Sequence, residues 1–286
     1  MDLARPRDVR GLLTRHGVRL TRERGQHLLV DREVLERIVD AARLGPQTEV
    51  LEVGPGAGVL TAELSKRAGR VVAVELDRRL LAVLEEAVPA PNVEIVPGDA
   101  LALDLPALFG GRPYRVVANL PYGIATPLVR RLLYAPPGQQ PEELVVMLQR
   151  EVARRLAAPP GSMSRLSVET QLVSDVEVLF EVGPSAFLPP PEVSSAVVRL
   201  RPLGCFRVPP LPTERRFFQT VEAGFGQRRK QLHNALGRLG VGTERIASAL
   251  AEAGIDGARR AETLTLEEWS RLSGALWPAP PPGRAD

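Results

Sequence analysis

The sequence has little of what metal and disulfide chemistry require. One cysteine, Cys205, in 286 residues leaves no partner for an internal disulfide and fits a reducing compartment. Three histidines, His16, His27 and His233, lie far apart in the chain. With a single cysteine beside them no zinc-ligand spacing exists, so no metal is expected. Long apolar runs are missing too. The longest uncharged run near the centre, residues 116–129, contains Asn119, Pro121 and Pro127 and is too short for a bilayer. The N-terminal stretch is rich in arginine and lacks an apolar signal core. These absences point to a cytoplasmic protein that enters no membrane.

Lysine is nearly absent, with only Lys66 and Lys230 among 37 basic residues. The charge that is present is unevenly spread. Residues 1–37 hold nine arginines against six acids, and residues 201–286 hold thirteen basic residues against nine acids. The centre, residues 38–200, is acidic, with fifteen basic residues against nineteen acids. Basic flanks suit a polyanionic partner, although a solvated arginine surface would read the same way. At 44% hydrophobic and 25% charged, the composition is that of a globular chain with room for one large domain and a small one.

Residues 1–30 read as a basic, irregular segment. Asp31 suits a helix N-cap, ahead of one apolar stripe of Val34, Leu35, Ile38, Val39 and Ala42, with Gly45-Pro46 as the stop. Short apolar, β-favouring runs at 49–53, 70–75, 93–96, 116–119 and 144–148 alternate with helical stretches. Runs at 168–173, 175–182 and 193–200 are expected to finish the sheet. The alternation predicts an α/β fold on a parallel, doubly covered sheet. Beyond Arg201, Pro209-Pro210-Leu211-Pro212 reads as a linker and helical spacing takes over. The expected domains are thus 1–30, a sheet domain over 31–203, a small helical domain over 204–277 and a disordered tail over 278–286.

The stretch Val116-Val117-Ala118-Asn119-Leu120-Pro121-Tyr122 is a buried strand that ends abruptly. Pro121 cannot extend a ladder, so Asn119 and Tyr122 are left at a strand end, where open α/β sheets bind ligands. An amide beside an aromatic face suits a nucleobase; a turn with a core tyrosine is the simpler reading. Glu52-Val53-Gly54-Pro55-Gly56-Ala57-Gly58 joins a strand to a helix, and its glycines let a ligand approach free N–H groups. Val59 stands where a dinucleotide fingerprint needs a third glycine, so the loop suits a nucleoside cofactor without phosphates. Glu75 closes the next strand, where a carboxylate accepts ribose hydroxyls or else pairs with Arg78 or Arg79. Asp99, in Gly98-Asp99-Ala100, can accept from an adenine amine or cap a helix from Ala100 onward.

These motifs continue with Gly25-Gln26-His27-Leu28-Leu29, Arg165-Leu166-Ser167-Val168, residues 187–200 and Phe225-Gly226-Gln227-Arg228-Arg229-Lys230. In this order they resemble the ribosomal small-subunit RNA adenine N6-dimethyltransferase family over about residues 24–240. The resemblance implies a Rossmann-like S-adenosylmethionine-dependent methyltransferase domain with a small C-terminal helical domain. It implies a cofactor site of His27, Leu29, Gly54, Gly56, Glu75, Leu76, Asp99, Ala100 and Asn119, lidded by the N-terminal segment. Catalysis then rests on Asn119, Leu120, Pro121 and Tyr122. The Asn119 oxygen and the Leu120 carbonyl accept the two amine N–H bonds, and Pro121 steadies that carbonyl. Tyr122 stacks on the flipped base, with Phe187 on its other face, although a core phenylalanine covering the sheet edge would read the same way. Arg228, Arg229 and Lys230 contact RNA phosphates, and Arg22 and Arg24 belong to a second basic patch. His27 stands where relatives commonly carry asparagine, and Leu28 where they often carry phenylalanine.

The implied activity is dimethylation of two adjacent adenines near the 3′ end of 16S ribosomal RNA. The implied partner is that RNA in the 30S particle or its precursor, and a monomer is expected. Two other readings stand beside it. One is a large-subunit RNA adenine methyltransferase of the macrolide-resistance type, whose members more often read Asn-Ile-Pro-Tyr where this chain has Leu120. The other is a non-catalytic assembly or nucleic-acid-binding factor on the same scaffold, which the intact Asn119, Pro121 and Tyr122 disfavour.

Overall fold

The computed structural model describes residues 2–20, 27–227 and 229–278. The chain divides into two compact units, Met1–Arg154 with Asp175–Gly204, and Arg155–Ser174 with Cys205–Asp286. The first unit opens with α1 (Pro6–Arg15), β1 (Leu28–Leu29), α2 (Arg32–Ala41), β2 (Glu49–Val53) and α3 (Val59–Ser65). It continues with β3 (Arg70–Glu75), α4 (Arg78–Ala87), β4 (Val93–Pro97), β5 (Arg115–Asn119), α5 (Ala125–Leu133) and β6 (Glu143–Gln149). Helix α6 (Arg150–Leu156) leads out of it and α7 (Arg165–Gln171) belongs to the second unit. Strands β7 (Ser174–Val182), β8 (Phe187–Leu188) and β9 (Ser195–Pro202) then complete the first.

Seven strands form one sheet in the order β4-β3-β2-β5-β6-β9-β7, and β1 pairs with β8 as a separate two-stranded ribbon. In β2, β3 and β6 successive residues are buried rather than every second one, which places packed structure on both faces of the sheet. Strands β4, β3, β2, β5 and β6 run parallel. Strand β9 runs antiparallel to β6, pairing Ser195 with Gln149 and Leu200 with Leu144. The sheet is therefore mixed, which corrects the wholly parallel expectation. No crossover helix precedes β9, and without one a strand does not return parallel. Strand order reverses between β2 and β5, the switch point at which such sheets leave a crevice.

Three local expectations need correction. Residues 6–15 are helical, not irregular: Pro6 opens the helix and Val9, Leu12 and Leu13 form its buried stripe. Residues 165–171 are a helix, where β-branched Val168 and Thr170 suggested a strand. A capping box outweighs that weak propensity, since Ser164 accepts from the Ser167 N–H and the Ser167 hydroxyl accepts from the Ser164 N–H. An Arg165–Glu169 pair one turn apart supports it. Residues 155–174 accordingly belong with the C-terminal helices and not with the sheet domain in which the sequence reading had placed them. Helix α2 stops at Ala41, ahead of Gly45.

The second unit adds α8 (Glu214–Phe225), α9 (Leu232–Ala235), α10 (Thr243–Glu252) and α11 (Leu266–Leu276). Phe217, Val221, Leu232, Leu236, Trp269 and Leu272 are its buried centre. Arg22, Arg24, Gly25, Gln26, Arg228 and residues 279–286 lie outside the described residues. No described helix is long and apolar enough to cross a membrane.

Candidate active site

A cavity of about 590 Å³ opens where β2, β3, β4 and β5 end, on the crevice between β2 and β5. His27, Leu29, Gly54, Gly56, Glu75 and Leu76 border it on one side of the switch point. Asp99, Ala100, Asn119, Leu120, Pro121 and Tyr122 complete the wall. Twelve residues from five sequence motifs thus share one space.

The glycines of the loop after β2 serve the protein's own packing. Gly54 has φ +71°, and a Cβ there would stand 2.9 Å from Pro121 Cγ. Gly56 has φ +61°, and its Cβ would stand 2.5 Å from Leu28 Cδ2. Both positions demand a left-handed backbone and close approach, so the loop lies flush against the Asn119–Tyr122 turn. Leu28, passed over in the sequence reading as a site residue, also borders the cavity.

Glu75 is fixed by backbone. Its Oε2 accepts from the Gly56 N–H at 3.1 Å and its Oε1 from the Asp77 N–H at 2.8 Å. Burial holds its carboxyl above the ordinary range, and those two bonds partly offset the shift. Arg79 pairs with Asp77 instead. Each Glu75 oxygen keeps a second acceptor site for a ligand hydroxyl. Asp99 Oδ1 accepts from the Leu101 N–H at 2.8 Å and so caps a turn, since no helix begins at Ala100, and Oδ2 has no partner among the described residues. Arg131 of α5 steadies this loop from behind, donating to the Ala100 carbonyl at 2.7 Å and to the Leu103 carbonyl. Leu76, 67% exposed, offers an apolar face between the two carboxylates.

Glu52 also borders the cavity, although the sequence reading did not nominate it. It is 2% exposed, and its Oε2 has no hydrogen-bond partner. Burial pushes its carboxyl up to about 8, the nearby Thr61 hydroxyl opposes this in part, and the Glu75 charge adds to it. An acid one residue before the end of β2, directly ahead of the glycine loop, is the sequence signal that could have found it.

On the other side, Asn119 Nδ2 donates to the His27 carbonyl at 3.0 Å. That bond orients the amide, leaving Oδ1 and the second Nδ2 N–H without a partner among the described residues. The Leu120 carbonyl accepts no hydrogen bond among them either, while the Leu120 N–H donates to Met147 O at 3.2 Å. His27 Nδ1 lies 2.8 Å from the Pro189 carbonyl and therefore donates to it. The His27 ring lies over Tyr122, with centroids 5.9 Å apart and planes 29° apart. The Tyr122 hydroxyl is 2.8 Å from the Ser195 hydroxyl, and burial raises its pKa while that bond opposes the rise.

Phe187 is placed elsewhere. It pairs with Leu29 across β1 and β8, is 3% exposed, and does not border the cavity. A ring enclosed on all sides has no face to offer a base, so its expected stacking role is withdrawn. Arg229 and Lys230 are exposed in the second unit. Among the described residues no group of three or more His, Cys, Asp or Glu side chains could hold a metal ion.

An amide acceptor and a half-buried ring thus lie at one strand end, with two anchored carboxylates beside them. The family model for ribosomal RNA adenine dimethylases matches residues 18–276. A ribosomal RNA small subunit methyltransferase A from Pelotomaculum thermopropionicum is 43% identical over 292 residues, covering 96% of this chain and 97% of the relative. Another, from Dehalococcoides mccartyi, is 44% identical over 251 residues, covering 87% and 85%. The crystal structure of the 23S rRNA methyltransferase ErmE superposes with a TM-score of 0.68 at 33% identity, over 87% of this chain and 99% of that one. A dimethyladenosine transferase from Plasmodium falciparum gives 0.69 at 25% identity, over 86% and 96%. The chain has their Rossmann-like methyltransferase fold and belongs to the ribosomal RNA adenine dimethylase family.

Proposed function

We propose that this enzyme places two methyl groups on N6 of each of two adjacent adenines near the 3′ end of 16S ribosomal RNA, using S-adenosylmethionine. The observation that carries this reading is the Asn119 amide, which a bond from its nitrogen to the His27 carbonyl orients so that its oxygen is left for substrate. An exocyclic adenine amine is a weak nucleophile because its lone pair is delocalised into the ring. Asn119 Oδ1 and the Leu120 carbonyl accept its two N–H bonds and favour a pyramidal nitrogen. Pro121, with fixed φ, holds that carbonyl in place, and the Tyr122 ring supports the flipped base. Positioning and preorganised dipoles provide the acceleration, without a strong base.

The cavity residues suit the donor. Glu75 accepts the ribose hydroxyls, Asp99 the adenine amine, and Leu76 covers the ring. Glu52, an orphaned buried acid at the same wall, offers one more polar contact. Bound there, S-adenosylmethionine supplies an electrophilic methyl on a sulfonium. From the N-terminal segment, Leu20, Leu28 and Leu29 border the same cavity, and β1 is held by its pairing with β8. In this reading Arg229 and Lys230, together with Arg228, contact phosphates of the RNA. The enzyme acts as a cytoplasmic monomer on the 30S particle or its precursor.

The likeness to ErmE favours one second reading, methylation of an adenine in large-subunit RNA. A single experiment decides. Purified protein is incubated with labelled methyl donor and undermethylated 30S or 50S subunits, and the RNA is digested to nucleosides. N6,N6-dimethyladenosine from 30S is the expected product. Label confined to 50S would replace the proposal with the second reading, and no label in either would refute both.

A further inference from the structure

Tyr122 follows β5, yet its hydroxyl reaches past β6 to a residue on β9. Ser195 is 0% exposed, sits at the start of β9, and is aligned with Gln149 at the end of β6. The 2.8 Å contact between the two hydroxyls is the polar bond of either side chain among the described residues, one donating and the other accepting. A tyrosine ring has two free torsions, and packing alone restrains its tilt loosely at a cavity wall. A hydrogen bond at the far end of the ring fixes that tilt, and a buried hydroxyl with a single partner has nowhere else to turn. The backbone supports the same alignment: the Arg150 N–H donates to Ser194 O at 2.9 Å, and the Leu120 N–H donates to Met147 O. Strand β6 is thus pinned on one side to the Asn119–Tyr122 turn and on the other to the residue before Ser195.

We infer that Ser195 is a positioning residue for the methyl-transfer step: through the Tyr122 hydroxyl it sets the angle of the ring on which the target base rests. The inference rests on the base-stacking reading of Tyr122 proposed above. It also assigns the phenol group. The Tyr122 hydroxyl is engaged by the protein and takes no part in the chemistry; only the ring face meets substrate. That makes the chain's requirement at position 122 an aromatic face held at one angle, which a phenylalanine supplies incompletely.

The test is a cycle of Ser195→Ala, Tyr122→Phe and the double variant, assayed with undermethylated 30S subunits and labelled S-adenosylmethionine. Each single change removes the same bond, so each lowers kcat about three- to tenfold, and the double variant is no worse than either. The KM for S-adenosylmethionine stays within twofold and thermal midpoints fall by only a few degrees, which a general loss of folding would not allow. Ser195→Cys, similar in size with a weaker hydrogen-bonding group, falls between Ser195→Ala and wild type. Wild-type kcat in Ser195→Ala would overturn the inference. So would multiplicative losses in the double variant, or a Tyr122→Phe defect far exceeding that of Ser195→Ala, which would put the hydroxyl on the substrate. Tyr122→Ala separates the two levels. If it is also active, the stacking reading itself fails; if it is impaired while Ser195→Ala is not, only the positioning role falls.

Discussion

Glu49 and Glu52 sit on the same strand, one at each end of the sheet, and their surroundings could hardly differ more. Glu49 meets Arg70 at 3.0 Å and Arg112 at 2.8 Å. Arg70 also pairs with Glu94 and donates to the Leu108 carbonyl. The same end holds a second cluster, in which Glu143 pairs with Arg199 and Arg201. At the other end Glu52 and Glu75 are buried without a cation, and both are held above the ordinary carboxylate range. One end of the sheet balances its charges internally; the other leaves acids and carbonyls unbalanced at a cavity wall. Uncompensated polar groups cost stability, and sites that must receive a ligand are where such groups are concentrated.

The comparison predicts that variants at the cavity end change chemistry and variants at the opposite end change folding. The largest effect is expected for Asn119→Ala, which removes the acceptor facing the target amine. Methyl transfer should fall by about 10²–10³-fold or more, as when one preorganised dipole is lost, with 30S binding and the thermal midpoint preserved. Asn119→Asp sharpens the point. It keeps an oxygen but cannot donate to the His27 carbonyl, so it should be nearly as inactive. Turnover at the wild-type rate in either variant, measured with labelled donor, would remove Asn119 from the mechanism.

Next in size is Tyr122→Ala, expected to weaken productive RNA binding by about 1–3 kcal/mol, the worth of one base–aromatic stack. Arg70→Met is the matching change at the opposite end. It leaves Glu49 and Glu94 short of a partner and should cost about 1–2 kcal/mol in urea denaturation. Activity per folded molecule should stay within twofold of wild type. A catalytic defect without a stability loss in Arg70→Met would break the division between the two ends.

The two ends were also unequally legible in the sequence. Glycines, Glu75, Asp99 and the Asn119–Tyr122 turn could be gathered because each closes a strand of a parallel run, and parallel strands put their carboxyl ends together. Ser195 could not, since its nearness to Tyr122 depends on β9 lying antiparallel beside β6, a pairing no local pattern reveals. Phe187 misled for a related reason. An aromatic ahead of Pro189-Pro190-Pro191 looks like an exposed loop residue, but the two-residue ribbon with Leu29 turns it inward. Val168 and Thr170 looked like strand residues because the two-serine cap that starts their helix is easily overlooked beside β-branched side chains. Val9, Leu12 and Leu13 were a readable helical stripe hidden among arginines.

The smallest effect per step, and the most direct probe of the contrast on β2, is the pH dependence carried by Glu52. Its ordinary value is 4.5, and in the folded chain burial raises it to about 8. Between these limits the folded state keeps a proton that the unfolded state releases. Stability from this group is therefore complete below about pH 4.5 and is lost as pH climbs, until the curve flattens above about 8. Glu52→Gln keeps the shape and cannot ionise, so it should lack this slope. Its advantage over wild type in urea denaturation should be slight at pH 5, larger at pH 6.5 and largest near pH 8. Glu49→Gln should show no such growing advantage, since its loss breaks two ion pairs. Parallel stability curves for wild type and Glu52→Gln would mean that Glu52 is ionised or paired in the folded chain, and the contrast between the two ends of the strand would vanish.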